Sequence, residues 1–175
     1  MKLTAALTLI LVLAGCGNSS PSKSQGDVES AAKPTPAPAL KVGQTYEADG
    51  LSSTLIEVDY PFTGDEKHVA PENTAFVGLD TKTCNDIKAK PTVSASNADW
   101  MLIGATGVEY AGTKDVMWTD WPMPKYPEGA PLEPGTCSYG WVLLQVPGNE
   151  QFSAVHFKAP GAKTTAIWKG TFARS

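Results

Sequence analysis

Histidine is scarce in this chain of 175 residues: His68 and His156 are the two it has, and they lie in unrelated contexts. Neither stands at ligand spacing from a cysteine, which argues against a zinc site. No Gly-x-Ser-x-Gly turn is present to hold a strained nucleophile. There is no Gly-rich phosphate loop either, since Gly104 and Gly107 bracket a β-turn rather than a strand-to-helix junction. Basic residues are in deficit, 14 Lys and Arg against 18 Asp and Glu, and they never cluster. Nucleic-acid binding and electrostatic docking on anionic lipid both need such clusters. No apolar helical period persists for three turns, and no internal repeat is visible. The expectation from these absences is a chain with no catalytic residue, no metal and no cofactor.

The one long apolar run is at the start. Lys2 gives a positive end, and Leu3 to Leu13 give about a dozen apolar residues, the length of a cleaved signal. A membrane-spanning helix needs about 20, and Gly15, Gly17, Asn18 and Ser19 end the run too soon. Leu13-Ala14-Gly15-Cys16 resembles the lipobox of bacterial lipoprotein precursors. That resemblance implies a diacylglycerol thioether on Cys16, cleavage after Gly15, and Cys16 as the mature N-terminus. Two acyl chains, at about 0.8 kcal/mol per buried methylene, anchor durably where one does not. The expected location is the cell membrane, lipid-anchored on its extracytoplasmic side.

Residues 16–39 read as a tether. Asn18 to Ala39 holds Ser, Pro, Ala, Gln and Lys with almost no large apolar side chain, and it ends in Lys33-Pro34-Thr35-Pro36-Ala37-Pro38-Ala39. Such a segment buries too little to offset its ordering entropy, and its Pro-rich end favours extended polyproline II. Residues 40–175, about 136 in all, make one domain of ordinary size. Losing Lys2 with residues 1–15 takes 14 basic residues to 13 against 18 acidic, a mature charge of about minus five.

Lipidation would remove Cys16 from the thiol count and leave Cys84 with Cys137. An even remainder in an exported domain points to a disulfide; two reduced core thiols are the alternative. Closing a loop of 53 residues would stabilise by roughly 4 kcal/mol on the chain-entropy argument.

From Thr45 onward, short β-rich runs alternate with Gly, Pro, Asn and Asp. Thr54 to Tyr60 is expected to turn Ile56, Val58 and Tyr60 inward with Glu57 and Asp59 outward, and Thr74 to Cys84 to turn Ala75, Val77 and Leu79 inward. Further strands are expected at Asp99–Ala105, Gly107–Ala111, Ser138–Val146, Phe152–Lys158 and Thr165–Phe172, with a weaker one near Gln44–Ala48. About eight strands at this length predict an all-β, antiparallel sandwich.

Pro134-Gly135 followed by Gly140-Trp141-Val142 and Val146-Pro147 resembles the signature of the immunoglobulin-like, telokin-like bacterial lipoprotein domains of unknown function. Ala75 to Leu79, Trp100 to Gly107 with Tyr110, and Val155 to Phe157 fall in that family's order and spacing. The resemblance implies an immunoglobulin-like sandwich in a tethered or secreted envelope protein, and the actinobacterial members look similar in carrying the cysteine pair. It brings no catalytic residues. The Pro- and Trp-rich segment between Val116 and Pro134 departs from the pattern.

That segment is the candidate site. Trp118, Trp121 and Tyr126 sit with Met117 and Met123 in a Pro-stiffened loop. Exposed, they would bind an envelope protein or stack on cell-wall sugars; folded back, Trp118 and Trp121 would cap one end of the sandwich. Trp141 and Trp168 lie within strands and are expected in the core. His68, beside Asp65, Glu66 and Glu72, reads as a solvated turn, and His156 as a residue on the solvent face of its strand. Asp80 with Asp86 would serve a glycosidase only across a cleft. The reading is a binding or interaction module, with a carbohydrate-binding module, an envelope hydrolase and a passive spacer as alternatives. If Cys84 and Cys137 are bonded, intact-mass analysis of the exported protein under alkylating conditions shows neither modified until a reductant is added; alkylation of both beforehand sinks the pairing.

Overall fold

The structure, a computed structural model, describes residues 38–63, 69–86, 92–112, 123–159, 161–162 and 164–174. All of these belong to the unit Thr35–Ser175. The leader, Cys16, the start of the tether, His68, Trp118 and Trp121 lie outside the described residues.

Among the described residues, the β-rich runs form ten strands. They are β1 (Thr45–Ala48), β2 (Leu51–Asp59), β3 (Thr74–Asn85), β4 (Val93–Ser96), β5 (Trp100–Gly104), β6 (Glu109–Ala111), β7 (Glu128–Leu132), β8 (Cys137–Pro147), β9 (Phe152–Phe157) and β10 (Ala166–Phe172). Every strand pairing is antiparallel, within one sheet ordered β1-β2-β3-β8, a second ordered β10-β9-β5-β6, and a small sheet of β4 with β7. The two four-stranded sheets make a β-sandwich. The eight expected strands are all present. The two unexpected ones read poorly in sequence because Val93-Ser94-Ala95-Ser96 has no strong apolar alternation and Glu128–Leu132 contains Gly129 and Pro131, both depleted in strands.

Alternation assigns the faces. In β3, Ala75, Val77 and Leu79 point inward, and in β8 so do Val142, Leu144 and Val146. Val58 of β2 and Tyr60 just past its end point inward as expected, but Ile56 does not. A bulge between Leu55 and Glu57 breaks the period, so Leu55 takes the core position and Ile56 is left 44% exposed.

The second sheet contributes the largest side chains. Trp100 and Trp168, both fully buried, lie with ring centroids 5.5 Å apart. Phe157 packs on Trp100 at 4.7 Å, and Tyr126 meets it edge-on at 6.4 Å. The Trp168 indole N–H donates to the Gln44 carbonyl at 2.9 Å, which joins the second sheet to the run-in of β1. Just ahead, Leu40 forms a parallel bridge with Trp168: its N–H donates to Ile167 O at 2.8 Å and its carbonyl accepts from Lys169 N at 2.9 Å.

A 3-10 turn, Asn97–Asp99, leads into β5 and is capped reciprocally. Ser96 Oγ accepts from Ala98 N–H at 3.2 Å, and Asp99 Oδ2 accepts from Ser96 N–H at 3.0 Å. Burial pushes the Asp99 carboxyl up to about 6, against the opposing effect of the Ser96 hydrogen bond. A carboxyl whose pKa is raised on folding contributes most below its unfolded value and loses that contribution as pH climbs through the folded one. Parent stability, measured by urea denaturation, should therefore fall relative to Asp99→Asn between pH 4 and pH 7; parallel pH profiles would show that Asp99 does not titrate in this range.

Candidate functional site

The outer face of the β1-β2-β3-β8 sheet is built by the register of β3 against β8. Cys84 faces Cys137, Lys82 faces Tyr139, Asp80 faces Trp141, Gly78 faces Leu143 and Phe76 faces Gln145. All of these point away from the core. Cys84 and Cys137 are disulfide-bonded, with Cα atoms 4.0 Å apart. The pairing read from the cysteine count is thus the one the fold makes.

Tyr139 is 62% exposed. Trp141, expected in the core, instead lies half-buried on this outer face, and the reason is parity: with Val142, Leu144 and Val146 inward, its neighbour must point out. Its ring packs on Phe62 at 4.9 Å, tilted by 56°. Phe62 lies over Gly78, where a Cβ would come within 2.3 Å of its ring, so glycine is required there for the contact. Trp168, by contrast, is in the core as expected.

The candidate loop reaches this face at its described end. Met123 is 70% exposed. Lys125 then forms a parallel bridge with Trp141, whose N–H donates to Pro124 O at 2.9 Å and whose carbonyl accepts from Tyr126 N at 3.0 Å. Gly140 permits the approach. Its φ is +142°, and a Cβ there would meet Pro124 O at 2.5 Å. Tyr126 is a correction to the expected site: it is 1% exposed, with its hydroxyl donating to Thr83 Oγ1 at 2.8 Å inside the core. The crossing at Gly140 turns its ring under the sheet while Lys125 stays outside, in an ion pair with Glu128.

Polar groups flank the rings. Across the sheet from Trp141 come Asp80 and then Glu57, register neighbours on adjacent strands. Asp80 is held above the usual carboxylate range, chiefly by burial and then by the Glu57 charge, with the Thr81 backbone N–H opposing. On the next row, Thr54 faces Lys82, which in turn faces Tyr139, and the Thr54 hydroxyl bonds that of Thr45 at 2.8 Å.

Other candidates are not brought together. At about 3.4 Å per residue the strand from Asp80 to its end at Asn85 already spans about 17 Å, beyond the roughly 5 to 9.5 Å of glycosidase carboxylate pairs; Asp86 follows that end. His156 faces outward as expected but is half-buried between Met101 and Ile167, and burial lowers its pKa against the pull of Glu109. Among the described residues, no three His, Cys, Asp or Glu side chains are grouped to hold a metal, and no helix is long and apolar enough to cross a membrane.

No family model and no curated protein sequence matches the chain. Two solved structures do share the fold. One is a candidate lipoprotein, ycdA, from Bacillus subtilis, with TM-score 0.54 and 10% identity over 75% of this chain; the chain spans only 38% of that protein. The other is the yjhA protein of Bacillus subtilis, with TM-score 0.53 and 13% identity over 74% of this chain and 98% of that one. Identities this low carry the architecture and nothing of the site.

The strip Tyr139–Trp141–Phe62 was legible only by following parity through β8 to its end; the position of Phe62, in the Pro61-Phe62-Thr63 exit from β2, had no periodic signal. The two tyrosines separate structure from surface. Tyr126→Ala should cost about 3 to 5 kcal/mol in a urea titration, as for other buried rings cut to Ala, whereas Tyr139→Ala should stay within about 0.5 kcal/mol of the parent; similar losses at both would contradict the assignment of faces.

Proposed function

We propose that the protein is a non-catalytic binding module, lipid-anchored through Cys16 on the extracytoplasmic side of the cell membrane, which engages an envelope partner through the outer face of the β1-β2-β3-β8 sheet. The observation that carries this reading is the placement of Tyr139, Trp141 and Phe62 on a face that the core does not use. The core is already filled by Trp100, Trp168, Tyr126, Phe152 and Phe157. Tyr139, 62% exposed, contributes little to folding, and aromatic rings are enriched at protein contact surfaces relative to the rest of the surface.

The finer family reading belongs to the same proposal: an immunoglobulin-like, telokin-like envelope domain, actinobacterial in its cysteine pair, is supported by the β-sandwich, by the Cys84–Cys137 bond and by the fold shared with a candidate lipoprotein. The lipobox sequence at Leu13–Cys16 supports the anchor. Absence of catalysis is supported by the scatter of His156, Asp80 and Asp86 over separate parts of the fold.

Photo-cross-linking of the intact protein in envelope extract, run beside a folded Tyr139→Ala, Trp141→Ala double variant, tests the face. A partner identified by mass and cross-linked only to the parent is the expected result. Equal capture by both proteins would move the site elsewhere, and capture by neither would leave a spacer as the better reading.

A further inference from the structure

Resting on that binding-face reading, we infer that Tyr139 and Trp141 form a sugar-stacking platform for an uncharged, β-linked glycan chain of glucose configuration. The argument begins with what the face lacks. Trp141 sits on the last strand of its sheet, yet its N–H and carbonyl are already bonded to Pro124 and Tyr126. β3 lies between β2 and β8, so its main chain is paired on both sides. A peptide adding itself as a further strand, one of the routes by which a sheet captures one, is therefore blocked beside Trp141. A ligand must be recognised here by side chains alone.

Those side chains offer two kinds of surface. Tyr139 and Trp141 are two residues apart on one strand, about 7 Å along it at the usual rise, and Phe62, lying over Gly78, packs against the Trp141 ring and supports it from one side. Beside the rings stand a carboxylate, Asp80, with Glu57 next to it, and an ammonium, Lys82, opposite Tyr139. The hydroxyls of Thr45 and Thr54 complete the neighbouring row.

Because Trp141 sends both backbone groups outward to Pro124 and Tyr126, Asp80 and Trp141 form the closer, non-hydrogen-bonded kind of cross-strand pair, which holds the carboxylate against the ring. Charges of both signs flank the rings, so a polyanion gains at Lys82 and loses at Asp80 and Glu57, and a polycation does the reverse. An uncharged polyol suits all of them, because each hydroxyl donates to a carboxylate or accepts from an ammonium. A β-linked pyranose of glucose configuration has that hydroxyl edge, and it has C–H faces flat enough to lie on a ring.

The test is titration of the intact protein, held in a detergent without a sugar headgroup, with the β-1,4-linked hexamers of glucose and of N-acetylglucosamine, followed by tryptophan fluorescence and calorimetry. Saturable binding of at least one hexamer is expected. Trp141→Ala should weaken it about tenfold, equivalent to about 1.4 kcal/mol, as for loss of one ring contact with its buried area. Since Trp141 is partly packed, the exposed Tyr139→Ala is the control for folding: it should keep the parent's urea midpoint and still lose affinity. No binding of either hexamer at millimolar concentration overturns the glycan assignment, as does binding unchanged in Tyr139→Ala. In either case cross-linking of a protein partner that needs Tyr139 and Trp141 would leave the binding-face reading standing, while loss of both would remove it.

Discussion

The pairing of β3 with β8 runs without a bulge from Thr74 opposite Pro147 to Cys84 opposite Cys137, and the rest of the molecule follows from that register. A slip of one residue would turn Val142, Leu144 and Val146 to solvent and drive Trp141 into a core with no room for it. The disulfide closes one end of the ladder and fixes the register covalently. At Gly140 the same strand gives up a side chain so that Pro124–Tyr126 can lie against it. One strand pair thereby decides the core parity, the outward row and the route by which the aromatic segment rejoins the sandwich.

Two populations of aromatic side chains result. Trp100, Trp168 and Phe157 meet ring to ring between the sheets, and Tyr60 and Tyr110 close on Phe152 edge-on, at 5.4 and 5.9 Å. These rings supply most of the bulky apolar burial in a domain otherwise built from Val, Leu and Ala. Tyr60 donates to the Glu150 carbonyl at 3.1 Å and Trp168 to the Gln44 carbonyl, whereas the buried Trp100 indole N–H has no acceptor among the described residues. The second population, Tyr139, Trp141 and Phe62, adds little to this packing and gives the outer face its chemical character.

Fold class was legible in sequence because short β-rich runs are punctuated throughout by Gly, Pro, Asn and Asp, and the one-face burial this implies alternates strictly along β5 and the second half of β3. The exceptions have local causes. Ile56 was misread because a bulge is invisible to a period-two pattern, and β7 because Gly129 and Pro131 look like loop residues. The site was harder. Aromatic density drew the reading toward the loop ending at Tyr126, yet that ring is buried, and the rings of the outer face come from two places distant in sequence, the exit from β2 and the first half of β8. Composition identifies rings; only pairing says which of them share a face. Trp141 shows the remedy, because its orientation was already implied by Val142, its neighbour, and Leu144 two residues beyond, which together occupy the opposite face.

The bridge at Leu40 also has a mechanical consequence. Any tension carried by the chain ahead of it enters the sandwich through two main-chain hydrogen bonds to β10, and directly behind them through the Gln44 carbonyl held by the Trp168 indole. Because Gly43 N–H also donates to Leu55 O at 2.7 Å, that load is passed to both sheets within a few residues. The domain is thus gripped at a staple across its two layers, so a pull would stress the sandwich as a block before it could peel away a single strand.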